Sequence, residues 1–223
     1  MGGTTVTKPL VVAIDGPAAS GKGTLARRLA EHFGLAQLET GALYRAAALL
    51  ALEAGDDPAD PAAAERAARR VTPGLLGDPR LREERVAAAS SVVAAIPAVR
   101  AALLAFQREF ARHPPLPARG AVLDGRDIGS VVCPDAAVKL FVTASREERA
   151  RRRVKELRER GVPAIYADVL QDLTERDARD SGRRVAPLAA APGAVIIDTT
   201  TLDADAVFER ACHIIARTLS ADG

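Results

Sequence analysis

Residues 10–24 read LVVAIDGPAASGKGT, and how this stretch is understood decides the fold. Leu10 to Ile14 is an unbroken apolar run, as expected of a strand buried on both faces, and it leads straight into a glycine-bracketed turn and a helix start. Gly16 and Gly21 let the backbone turn with its N–H groups inward, the helix adds its positive end, and Lys22 adds a mobile cation. An anion of several charges belongs there. The spacing follows G-x-x-x-x-G-K-[ST] through Lys22, but Gly23 takes the hydroxyl position and Thr24 supplies the hydroxyl one residue later. Gly16, Pro17, Ala18, Ala19, Ser20, Gly21, Lys22, Gly23 and Thr24 are therefore the candidate phosphate cradle. A glycine-rich turn with no ligand is the bland alternative. Against it, strand, spacing, lysine and threonine coincide, and with only four lysines beside 27 arginines, a lysine at this position is not compositional noise.

Working outward, 223 residues with 48% apolar and 27% charged side chains suit one soluble globular domain, residues 1–223, with an ample core. A formal net charge of +2 argues against a dedicated nucleic-acid binder, while a pI near 8.7 leaves room for local basic patches that hold phosphorylated small molecules. Cys133 and Cys212 fit a reducing compartment and show no metal-ligand spacing. His32, His113 and His213 each stand alone, which speaks against catalytic or metal roles. There is no run of 18 apolar residues and no signal peptide, and the Met1-Gly2 start lacks the hydroxyl residue at position 6 that myristoylation wants. The expectation is a cytoplasmic monomer acting on small molecules, with neither nucleic acid nor membrane as partner.

Periodicity and turn residues predict helices over 22–33, 41–54, 61–71, 83–96, 98–112, 145–160, 164–180 and 204–219. Strands are predicted at 35–39, 121–124, 138–142 and 195–198 besides the first. Thr40 reads as an N-cap for 41–54 and Asp60 as one for 61–71; Pro97 sits where a helix tolerates proline, and 72–80 reads as loop. Five short strands separated by helices imply an α/β fold: a five-stranded parallel sheet with helices on both faces.

Ligands of such sheets bind beyond the carboxyl ends of the strands, so the residues there carry functional readings. Strand 121–124 runs into DGRDIG, placing Asp124, Arg126 and Asp127 on one loop, either as a solvated turn with an internal ion pair or as an acidic group for Mg²⁺ held through water. Thr40, Tyr44 and Arg45 open the second helix and suit an acceptor site; otherwise Tyr44 is core and Arg45 surface. In SREERARRRVKELRER from 145, the pairs Glu147–Arg151, Glu148–Arg152 and Glu156–Arg160 describe a solvated salt-bridged face. Arg149 and Arg153 are not required by that face and could stabilise charge on a transferring phosphoryl group. A nucleic-acid patch is disfavoured by the interspersed glutamates and the lack of aromatics. Val169, Leu173, Arg176, Asp180 and Arg183 follow 4, 3, 4, 3 spacing, so an apolar stripe continues into a charged one that needs a ligand or ion pairs.

Taken in order, GPAASGKGT, TGALYR, AASSVVAAIPAVR, LDGRDIG, the arginine-rich helix and ERDARDSGRRVAPL resemble the bacterial cytidylate kinases, within the nucleoside monophosphate kinases that carry GKGT, over nearly the whole chain. The resemblance implies transfer of the ATP γ-phosphoryl to CMP or dCMP with Mg²⁺, in a P-loop core with an acceptor-binding insertion, here 41–112, and a short lid, here 145–183. By that pattern Gly16, Gly21, Lys22, Gly23 and Thr24 hold the donor phosphates; beside it, the reading of the residues themselves gives Thr24 and Asp124 to the metal and makes Lys22, Arg149 and Arg153 the catalytic charges. By the family's pattern Arg45, Arg126 and Arg183 would hold the acceptor phosphate, Ser91, Arg100 and Asp127 would read the cytosine edge, and Tyr44, Arg176 and Asp180 would meet the sugar region, with Thr40 near the acceptor. Cytosine offers an amino donor and two acceptors, which a carboxylate, a guanidinium and a hydroxyl complement. Two departures from the family's pattern stand out: the segment from the 40s to the 90s is short, which puts its small insertion sheet in question, and Thr40 stands where Ser is usual. The alternatives are a kinase for UMP, AMP or a hydroxylated metabolite, or a non-enzymatic nucleotide switch.

Overall fold

The apolar run that opens the chain becomes β1, Leu10–Asp15, and its alternating side chains feed two separate cores. Val11 and Ala13 pack into one cluster and Val12 and Ile14 into another, so helices cover both faces of the strand. The computed structural model describes residues 9–221; the Met1-Gly2 reading lies outside the described residues. With β2 (Ala36–Glu39), β3 (Gly120–Gly125), β4 (Val138–Thr143) and β5 (Val195–Asp198), β1 forms one wholly parallel sheet in the order β2-β3-β1-β4-β5. Strand order diverges on either side of β1, so a crevice opens beyond the carboxyl ends of β1, β3 and β4.

On one face lie α1 (Lys22–Phe33) and α8 (Ala204–Ala221), burying Leu25, Leu29 and Ile215 against Ile14 and Leu140. On the other lie α2 (Thr40–Glu53), α3 (Pro61–Arg69), α4 (Glu84–Val93) and α5 (Pro97–Arg112). Ala46, Ala47 and Ala48 of α2 have no exposure at all, because alanine lets this helix sit between the sheet and the outer helices without separating them. Asp60 caps α3 as predicted, accepting from the N–H groups of Ala62 and Ala63 at 3.2 Å each. α6 (Arg146–Glu159) and α7 (Tyr166–Ser181) pair beside the crevice through a small core of Ala150, Val154, Leu157, Val169 and Leu173.

Several local expectations are corrected. Thr40 is the first residue of α2 and not its cap; its hydroxyl donates across to the Asp124 carbonyl at 2.8 Å. The first helix of the 83–112 pair ends at Val93, because Ile96 takes the extended backbone that precedes Pro97. The stretch 72–80 is two 3₁₀ turns, Pro73–Gly77 and Pro79–Arg82, and every strand among the described residues belongs to the one sheet, so the short segment carries no sheet of its own. A single π-helical turn, Ile128–Val132, follows β3 where no element was predicted. Arg151 pairs with Glu148 at 3.1 Å and not with Glu147, whereas Arg152–Glu148 and Arg160–Glu156 form. No single helix among the described residues is long and apolar enough to cross a membrane; the one bent pair that passes on composition, α4 with α5, turns by 100° and lies in the core.

Candidate active site

At the end of β1 the chain takes conformations that side chains resist. Gly16 has φ +153°, and a Cβ there would lie 2.0 Å from the Val142 carbonyl oxygen; Gly21 precedes α1 at φ +92°. The turn is held from behind. Pro17 O accepts from Lys22 Nζ at 3.1 Å, Ala18 O from Arg149 at 3.3 Å, and Ser20 O from the Thr199 hydroxyl at 3.1 Å. With its carbonyls turned toward protein donors, the loop leaves its N–H side to the open cradle, at the N-terminus of α1. The Ser20 hydroxyl is buried without a partner. Thr24 is exposed on the first turn of α1 and, with Gly21, Arg152 and Thr199, borders a cavity of about 290 Å³.

Beside the cradle, the loop after β3 supplies cation and anion together. Asp124, 3% exposed, shares its environment with Lys22: burial raises its pKa while the ammonium opposes this, and burial with the Arg126 guanidinium lowers that of Lys22. Gln37 approaches the Asp124 carboxylate at 3.5 Å. The solvated-turn alternative for 124–127 is excluded, since Asp127 is 4% exposed and its partner is Arg100, not Arg126. Arg126 instead donates to Asp180 at 2.9 Å.

A slot opens above this loop, and nine of the ten predicted acceptor residues line it. Thr40 and Tyr44 come from α2, Ser91 from α4, Arg100 from α5, Arg126 and Asp127 from the loop, Arg176 and Asp180 from α7, and Arg183 from just beyond it. Arg45 stands beside the slot, paired with Glu39; burial works against that carboxylate, but Arg45 outweighs it and holds the pKa of Glu39 below its usual range. The Arg100 guanidinium lies 5.3 Å from the Tyr44 ring centroid. Cations outnumber their partners here. Burial, followed by the repulsion of Arg126, pushes the Arg176 pKa down to about 10, and the Nε atoms of Arg45, Arg176 and Arg183 are buried without a hydrogen bond. Such groups call for a partner, and an anionic ligand would supply one.

The arginine-rich helix divides. Arg149 is 3% exposed and bound to both oxygens of Asp177 at 3.2 and 2.6 Å and to Ala144 O at 3.1 Å, so in this structure it braces the cradle. Arg153 is more open and pairs with Glu84 at 2.7 Å and Glu156 at 2.8 Å; its charge reaches Arg176.

The family model for cytidylate kinase matches residues 12–217, nearly the full chain. A cytidylate kinase from Paramagnetospirillum magneticum is 60% identical over 205 residues, covering 92% of this chain and 97% of that protein. The chain belongs to the cytidylate kinase family. Another cytidylate kinase, from Methylobacterium sp., is 62% identical over 185 residues, 83% of this chain and 86% of that one. A crystal structure of an uncharacterized protein from Eubacterium ventriosum aligns with TM-score 0.50 at 13% identity, over 93% of this chain and 98% of that one, a likeness of fold alone.

Two polar residues of this family member's site escaped the sequence reading. Arg179 on α7 donates through Nε to the Ser91 hydroxyl at 3.2 Å, so Ser91 keeps its own proton for the slot. Asp15 lies 2% exposed at the end of β1, its carboxyl pushed up to about 6 by burial against the opposing N–H groups of Gly129 and Ile128. The rule that directs attention to strand ends covers Asp15 as well. Nothing in local sequence marks Arg179.

Proposed function

We propose that this chain transfers the γ-phosphoryl of ATP to CMP or dCMP, giving ADP and CDP or dCDP, with the cradle holding the donor and the slot holding the acceptor. One observation carries the reading: Arg126 and Arg176 of the slot lie close enough to the cradle's Lys22 to add to burial in lowering its pKa, and the Nε atoms of Arg45, Arg176 and Arg183 are buried without a hydrogen bond. Two polyanions brought end to end would neutralise this cluster. A nucleotide switch needs only one anion site, so the second favours transfer.

In the reaction an acceptor phosphate oxygen bonds to the γ-phosphorus as the bond to the β–γ bridging oxygen breaks, which asks positioning and charge neutralisation of the protein and no side-chain nucleophile. Lys22 stabilises the donor phosphates. Arg126, Arg183 and the neighbouring Arg45 hold the acceptor phosphate, with Arg176 and Asp180 toward the sugar. Arg153 would release Glu84 to add charge at the transferring group. Asp127, paired with Arg100, accepts from the cytosine amino group while Arg100 and Ser91 donate to the ring acceptors. The cavity beside Thr24 offers room for the donor nucleoside.

A hydroxyl at Thr24 and a lone buried carboxylate at Asp124 suit Mg²⁺, which takes one or two protein groups plus phosphate oxygens and keeps its waters; three-carboxylate or histidine clusters are absent among the described residues. When bound, Mg²⁺ would neutralise phosphate charge. In this reading residues 41–112 form the acceptor-binding region and 145–183 the lid. Each subsite is complete within one chain, which favours a monomer, and we place it in the cytoplasm.

A coupled ADP-release assay with CMP, dCMP, UMP and AMP tests the assignment. ATP alone should turn over slowly, while CMP or dCMP should yield ADP and nucleoside diphosphate in equal amounts. Turnover unaffected by any acceptor would favour the switch.

A further inference from the structure

Asp15 touches neither subsite's lining yet joins them. It is the last residue of β1, directly before Gly16, and its two carboxylate oxygens accept from the N–H groups of Ile128 at 2.7 Å and Gly129 at 2.8 Å. Those are the first amides of the π-helical turn, immediately after Arg126 and Asp127. A turn this short cannot satisfy its own leading N–H groups, and here the cap comes from another strand. The loop also has no slack: a Cβ at Gly125 would lie 2.6 Å from the Thr40 hydroxyl, and one at Gly129 would lie 3.2 Å from the Ala191 Cβ.

The other side-chain ties of this loop, Arg126 to Asp180 and Asp127 to Arg100, run to residues that line the slot and would rearrange around an acceptor. Asp15 is the tie to the sheet. We propose that Asp15 is a positioning residue that fixes loop 126–129 against the phosphate cradle, so that Arg126 and Asp127 meet the acceptor nucleotide at the distance phosphoryl transfer requires. This rests on the acceptor reading above. An ionised carboxylate fits the task because both of its oxygens accept; an amide would set its NH₂ against one of the two N–H groups.

Asp15→Asn tests this. It should lower kcat/KM for CMP about 10- to 100-fold, as a displaced reactant does. The loss should fall mainly on KM for CMP, with KM for ATP within about two-fold and the CMP to UMP preference reduced. A variant that loses melting temperature while both KM values and the preference stay at wild-type values would make Asp15 merely structural and overturn the proposal. Should the variant not fold, amide hydrogen exchange on the wild-type protein decides: without nucleotide, Ile128 and Gly129 should be protected as well as the amides of β1. Fast exchange that slows only on adding CMP would mean that the acceptor, not Asp15, orders the loop. Wild-type turnover of CMP, measured alongside, separates the two readings, because its absence would sink the acceptor assignment while the exchange data still report the grip of Asp15.

Discussion

The phosphate cradle and the acceptor slot lie side by side but are built by opposite means. The cradle is nine consecutive residues offered as a backbone site, its turn set by glycines with positive φ and pressed against β4, where a Cβ at Gly16 would lie 2.0 Å from the Val142 carbonyl oxygen. The slot gathers side chains from α2, α4, α5, α7 and one loop, and several are held by another side chain: Arg100 by Asp127, Arg126 by Asp180, Ser91 by Arg179. A contiguous backbone site tolerates change around it, whereas a dispersed side-chain site fails or changes preference one partner at a time.

The largest effect expected from this contrast is at Lys22, the cradle's one mobile charge. Lys22→Ala should lower kcat about 100- to 1000-fold, in the range seen when a preorganised charge-stabilising donor is removed. Its circular dichroism should stay at wild type, because burial and Arg126 already work against the Lys22 charge and offset what Asp124 gains from it. An active variant would break the cradle assignment. Next comes the brace behind it: Arg149→Ala leaves Asp177 buried without its partner and should cost about 3 kcal/mol of stability by urea unfolding. A loss of activity with stability intact would return Arg149 to the catalytic set and blur the distinction between cradle and slot.

In the slot the expected change is one of preference. Asp127→Asn replaces an acceptor-only group by one that also donates, so the CMP to UMP ratio in kcat/KM should fall by about 5- to 150-fold, corresponding to an unpaired buried polar group at roughly 1 to 3 kcal/mol. Equal losses for both acceptors would reduce Asp127 to a structural partner of Arg100. The smallest effect is the pH dependence of stability from Asp15, which lines neither region but ties the end of β1 to the loop after β3. With its folded pKa raised from 3.8 to about 6, the folded chain keeps a proton between those values that the unfolded chain has released. Its contribution to stability therefore declines as pH rises from about 4 to about 6 and is level above. Asp180, whose pKa is held down against burial by Arg126, Arg183 and Arg176, works in the other direction. Urea midpoints of wild type minus Asp15→Asn across that window isolate the Asp15 part, and a difference that grows with pH would reverse its sign.

Much of this was legible in the sequence, for reasons that differ by region. The strand, turn and helix of 10–33 are dictated by near neighbours: an apolar run, two glycines and a helix start. The predicted α7 stripe held, with Val169, Leu173 and Asp180 buried in line, because a helix repeats its face at 3.6 residues whatever surrounds it. Assigning Ser91 and Arg100 to the slot depended on resemblance, since each lies in a helix whose local pattern gives no reason to single it out.

The chain by itself therefore determined the parallel α/β sheet, the cradle and the charged stripe, all of which arise from spacing within a few turns or one strand. Only the tertiary structure decided what each arginine of the charged helix is bound to. Arg149 and Arg153 stand one helical turn apart in the same charged run, yet the first faces Asp177 and the carbonyl of Ala18 while the second faces Glu84. The same holds for Asp15 and Arg179. Their partners lie 113 and 88 residues away, and a hydrogen bond across that distance is set by how the sheet and its helices pack, which no local pattern encodes.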